Sequence, residues 1–194
     1  MNRNKETRRL LWSNANRLWK AVDKRFLLIP PLFTVALAAL IQGGIYYLPK
    51  QVLEVTAIVV LSAFTLCLAA RFCLNRQPFF LWGSALCGIL LMREFHFETT
   101  SDLVYVALLV LLYFTLSRLD ALQSYLLETR IPTWITTGFF VYFISMTIDQ
   151  RWWRGLPCES LIHVPLEETL EVAGHVIIGL TLVLARGEVT SKEV

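Results

Sequence analysis

The 194-residue chain is 56% hydrophobic and only 17% charged, with a net charge of +3 at neutral pH. So much apolar surface cannot be hidden in one water-soluble core, and the small net charge gives nucleic-acid binding little electrostatic support. A bilayer supplies the missing apolar solvent, and a helix needs about 20 residues with few charges to cross it. The expected fold class is all-α: a polytopic membrane helix bundle of about six transmembrane helices with both termini cytoplasmic.

Residues 1–25 form the first predicted unit. Leu11, Ala15, Leu18, Val22 and Phe26 recur at helical spacing among Arg8, Arg17, Lys20 and Lys24, and Trp12 and Trp19 suit an interfacial depth. This describes a basic amphipathic helix on the inner leaflet, with the bilayer and its anionic lipids as partners. A docking surface for a cytosolic protein is the alternative.

The transmembrane domain is predicted over residues 26–185, followed by a cytoplasmic tail, 186–194. Its first span, Phe26 to Leu48, is too long for a signal-peptide core and carries Pro30 and Pro31 near its start, where a helix tolerates proline. The second runs from Val52 to Leu74 after a turn at Pro49-Lys50. The third, from Pro78 to Phe97, and the fourth, from Leu103 to Leu122, have apolar centres trimmed by charges. The fifth, Pro132 to Trp152, and the sixth, Pro165 to Ala185, each open on a proline. The connection from Ser117 to Arg130 also reads as helical and amphipathic. Cys67, Cys73 and Cys87 are expected as small buried apolar residues, and Cys158 as a structural thiol outside; no metal-type or disulfide spacing links them.

Basic residues decide orientation, because Lys and Arg are retained on the cytoplasmic side. Fourteen fall on one side of the six-span scheme: eight in the first 25 residues, then Arg71, Arg76, Arg118, Arg130, Arg186 and Lys192. Only four, Lys50, Arg93, Arg151 and Arg154, fall on the other. The short loops suit a bacterial inner-membrane protein.

Ionisable groups within a bilayer cost about 2.5–3.5 kcal/mol each, so those present should face the bundle interior with a partner. They gather toward the outer face: Arg93, Glu94, His96 and Glu98 end the third span, Asp102 begins the fourth, and Asp149 and Arg151 end the fifth. In the sixth span Glu168, Glu171 and His175 form one stripe, matched by Tyr142, Ser145 and Asp149 on the fifth. Glu167 is expected in the first turn of its helix, where the dipole favours a negative charge. The segment after Met92 could be helical or extended, and either form lets Glu94 join the cluster.

The sharpest functional expectation is a divalent metal, zinc or iron, held by Glu94, His96, Asp149, Glu168, Glu171 and His175. Glu94, Asp149 and Glu171 are then the candidate catalytic groups of a metal-dependent hydrolase acting on a lipid or other outer-leaflet substrate. A small proton- or cation-coupled transporter is a second expectation, with Glu171 and His175 as relay groups. A third is a structural or assembly protein whose charges pair with one another, Arg93 with Glu168 or Glu171, and Arg151 or Arg154 with Asp149 or Glu94. In layout, acidic and histidine residues at one face of a compact bundle, the chain is similar to membrane hydrolases of the alkaline ceramidase type. Those have seven spans and another order of His and Asp motifs, so the similarity implies no residue correspondence.

Overall fold

The structure, a computed structural model, describes residues 3–95, 100–127, 129–155 and 159–186, and among them it is helical without strands. Helix α1 spans Arg3–Ala21 and is followed by a 3-10 turn, Lys24–Leu28. Then come α2 (Ile29–Gln42), α3 (Lys50–Asn75), α4 (Pro78–Glu94), α5 (Thr100–Ser117), α6 (Leu119–Leu126), α7 (Ile131–Asp149) and α8 (Glu159–Val183).

Among the described residues, three helical segments are long and apolar enough to cross a membrane: Lys24–Gln42, Lys50–Asn75 and Ile131–Asp149. A fourth is available if α5 and α6, bent by 90° at Arg118, count as one broken span. Helix α4 has 17 residues, about 26 Å at 1.5 Å per residue, and α8 carries Glu167, Glu168 and Glu171 in its apolar stretch.

Several expected boundaries shift for local reasons. The first span stops at Gln42 because Gly43 and Gly44 follow, Gly44 with φ of 67°, the left-handed conformation that ends helices. The fourth stops at Ser117, not Leu122; the amphipathic segment after it is the separate helix α6, which turns to bury Leu119, Leu122, Tyr125 and Leu126. Prolines open α2, α4 and α7 as expected. Pro165 does not open α8, which begins at Glu159 and carries the proline inside. Glu167 therefore lies beyond the first turn, and the dipole argument for its position fails. Cys87 is buried, but Cys67 and Cys73 lie exposed on α3; Cys158 lies outside the described residues.

Helix α8 is the hub, packing against α7, α3, α2 and α4. Two apolar clusters surround it. One joins Leu61 and Leu68 of α3, Phe79 and Phe80 of α4, and Ile178 and Leu182 of α8; Phe79 stacks on Tyr125 with ring centroids 4.3 Å apart. The other joins Leu37 of α2, Val141, Ile144 and Ile148 of α7, and Leu166 and Leu170. Small residues permit the close approaches, as expected for helices that pack without a hydrophobic drive between them. A Cβ on Gly179 would meet the Phe64 ring at 1.9 Å, and one on Gly138 would meet Ile178 at 2.6 Å. The outward surface is apolar too, with Leu32, Val55, Leu66, Val106, Leu109 and Phe143 all exposed.

The helix ends sort by charge. Arg71 of α3 lies over the Phe80 ring and donates to the carbonyls of Val183 and, at 3.1 Å, Ala185, closing the C-terminal end of α8 with a cation. At the opposite end Lys50, which begins α3, reaches Glu168 of α8, so α3 and α8 run in the same direction with α4 and α7 against them. Gly179→Val is expected to destabilise the protein by about 1–3 kcal/mol through overpacking at the α3–α8 contact. Thermal melting in mild detergent checks this against Gly88→Val, whose added Cβ meets only Thr65 at 3.9 Å; equal melting would contradict the packing.

Candidate functional site

The acidic and histidine residues at the Lys50 end of the bundle are brought together by three elements. Helix α8 supplies Glu168, Glu171 and His175 on one stripe, α4 ends in Arg93 and Glu94, and α7 presents Tyr142 and Ser145. Glu94 lies on the last turn of α4, which stays helical past Met92. Residues 96–99, including His96 and Glu98, lie outside the described residues.

His175 is fully buried. Its Nε2 lies 3.1 Å from Glu94 Oε1, and its Nδ1 contacts the Tyr142 hydroxyl. An ionised Glu94 can only accept, so it takes the Nε2–H, and Nδ1 shares the second hydrogen bond with the Tyr142 hydroxyl. The ring is thus oriented by its neighbours, in a Tyr142 to His175 to Glu94 chain. Gly174 shapes this chain: a Cβ there would meet the Tyr142 ring at 3.0 Å, so the absence of a side chain lets the phenol lie against α8.

Beside the chain, Arg93 is ion-paired with Glu171, and its guanidinium lies 5.8 Å from the Tyr142 ring centroid. Glu168, one turn further out, binds Lys50 Nζ at 2.9 Å, and Lys50 also approaches Glu54 at 3.6 Å. Ser145 Oγ donates to the Glu167 carbonyl at 3.2 Å, and Tyr46 and Thr169 share a hydrogen bond of 3.2 Å. Hydrogen bonds and ion pairs therefore link the segment after α2, and helices α3, α4 and α7, to the part of α8 nearest Lys50.

Four of the six predicted ligands, Glu94, Glu168, Glu171 and His175, are gathered here. Asp149 ends α7 in an exposed position and accepts from Gln150 Nε2 at 3.1 Å. His163 pairs with Arg151 at 3.0 Å. Among the described residues, no group of three or more His, Cys, Asp or Glu side chains is disposed to hold a metal ion. The contribution of Lys50 escaped sequence reasoning; the available signal was its place as one of only four basic residues on that side.

Chemically, the Tyr142–His175–Glu94 chain can shift a proton along its length. The Arg93–Glu171 and Lys50–Glu168 pairs offset charges that would otherwise stand alone in an apolar setting. No protein-family model matches the chain, nor does any curated protein or solved structure.

Tyr142→Phe removes the hydroxyl that partners Nδ1 and leaves a fully buried nitrogen unsatisfied, with an expected loss of about 1–3 kcal/mol in stability. A double-mutant cycle over Arg93→Gln and Glu171→Gln is expected to give a coupling of about 1–3 kcal/mol in melting measurements, since these partners are in direct contact. Additive effects would show that the pair does not join α4 to α8.

Proposed function

We propose that the chain is a six-span integral membrane protein, of the bacterial inner-membrane kind, with both termini cytoplasmic. The antiparallel run of α3, α4, α7 and α8 supports this reading, as does the separation of Lys50, Arg93 and the acidic residues from Arg71 at the other end of the bundle. Helix α1 lies on the inner leaflet as a basic amphipathic anchor.

Its role is that of a membrane structural or assembly protein whose outer-side Glu and His residues are paired within the fold, clasping α3, α4 and α7 to α8. One observation carries this: each gathered candidate ligand already engages a protein partner, Glu94 with His175, Glu171 with Arg93 and Glu168 with Lys50. Breaking a buried pair leaves an uncompensated charge at a cost of about 3–5 kcal/mol. Glu171→Ala is expected near the lower end, because Arg93 keeps a third of its side chain exposed. The protein purified in mild detergent is expected to be metal-free, with Glu171→Ala and His175→Ala melting lower. Stoichiometric zinc or iron that both substitutions remove would overturn the structural reading.

That opposite result would favour the second reading, a metal-dependent hydrolase of an outer-leaflet lipid. It rests on the chemistry of Glu94, Glu171 and His175, two carboxylates and an imidazole of the kind such ions accept, which would have to rearrange to form a ligand set. Arg93 would have to release Glu171 for an ion to bind. Orientation is tested separately: single cysteines replacing Glu54 and Asp120 in a cysteine-free background are expected to react with an impermeant thiol reagent from the outside and the inside respectively. The reverse pattern would invert the topology.

A further inference from the structure

A second feature lies between α5 and α7. Helix α5 packs on α4, α1 and α6, whereas α7 packs on α8, α2, α1 and α6. Between them runs a cavity of about 660 Å³, walled by Leu86 of α4, Leu108 and Leu112 of α5, and Ile135 and Phe139 of α7. Its lining is almost wholly apolar. Helix α1 closes one end with Ala15, Leu18 and Val22.

Next to that end is a second hollow, lined by Lys5, Arg8, Arg9 and Trp12. The two share Ala15 and Leu116, so the apolar slot and a hollow with three cations lie side by side. The position of α1 between them is fixed from within the fold, because Asn14 Nδ2 donates to the Leu116 carbonyl at 2.8 Å and Asp23 N–H donates to Thr133 Oγ1 at 3.0 Å.

We infer that this composite site binds one anionic phospholipid, its acyl chain in the slot between α5 and α7 and its headgroup phosphate among Lys5, Arg8 and Arg9. An apolar slot alone would take any bilayer chain. The adjoining cations select a lipid with net negative charge, since each Lys or Arg near the surface adds favourable interaction with an anionic headgroup and none with a zwitterionic one. The slot lies in the bilayer only if the helices span it, so the inference rests on the membrane reading above. Helix α1 thereby acquires a second role, because it both lies on the leaflet and forms the wall where slot and headgroup hollow meet.

The test uses the full chain reconstituted in vesicles of equal phosphatidylglycerol and phosphatidylcholine, extracted in mild detergent and weighed by native mass spectrometry. One phosphatidylglycerol per chain is expected to survive extraction. The triple substitution Lys5→Ser, Arg8→Ser, Arg9→Ser is expected to lower the preference for phosphatidylglycerol over phosphatidylcholine by on the order of 100-fold, given three cations. Leu112→Trp, which fills the slot from an already exposed position, is expected to abolish retention of either lipid, whereas Val110→Trp, exposed and outside the slot, leaves it intact. Equal retention of both lipids by the native chain, or retention unaffected by Leu112→Trp, would overturn the site, as would a second copy of the chain in place of lipid. Thiol labelling at Glu54 and Asp120 separates the two failures: labelling as expected with no retained lipid overturns the site alone, and inverted labelling with lipid retained overturns the topology alone.

Discussion

The placement of α8 is the constraint on which the bundle depends. This helix carries Glu167, Glu168, Glu171 and His175 within nine residues, and in hydrocarbon none of them could face lipid without a cost of several kcal/mol. The bundle meets that cost by making α8 its centre, wrapped by α2, α3, α4 and α7. The wrapping elements bring the groups the stripe needs: Arg93 and Glu94 from α4, Tyr142 from α7 and Lys50 from α3. Charge, packing and helix order are therefore one problem with one solution.

The two ends of α8 are held by different physics. The end near Lys50 is fixed by ion pairs and hydrogen bonds, which are directional and specify rotation about the axis. The other end is fixed by packing, through Ile178, Leu182 and the close approach of Gly179 to Phe64, with Arg71 closing the last carbonyls. A helix pinned by polar contacts at one end and by small-residue packing at the other cannot slide without breaking one set or opening a void in the other. Helix α5, by contrast, contacts fewer neighbours and leaves the slot beside α7 open.

The paired state of the acidic cluster bears on its chemistry. An imidazole held between a hydroxyl and an accepting carboxylate, as His175 is, has its ring orientation fixed by both partners. The neighbouring cations lower the charge an incoming ion would meet, and they compete with it for the same carboxylate oxygens. The cluster is thus built first as a structural joint, and any ligand must exchange partners to enter it.

By itself the sequence determined the helical class, the prolines that open α2, α4 and α7, and the grouping of Glu94, Glu168, Glu171 and His175, because periodicity and the cost of burying charge are local or one-dimensional properties. That Arg93 would pair with Glu168 or Glu171 was also legible, since an acidic stripe on a buried helix demands a cation nearby; the structure selects Glu171. Other features were decided only in three dimensions. Pro165 sits inside α8 because the helix starts upstream at Glu159, and α5 breaks at Arg118 because α6 gains more by burying Leu119 and Leu122 than by prolonging the span. Asp149 shares a sequence stripe with Tyr142 yet ends exposed, at the last residue of α7. The choice of Lys50 for Glu168, and the slot that α1 walls off between α5 and α7, depend on how whole helices are placed in space, and no spacing along one chain encodes a contact between segments more than 100 residues apart.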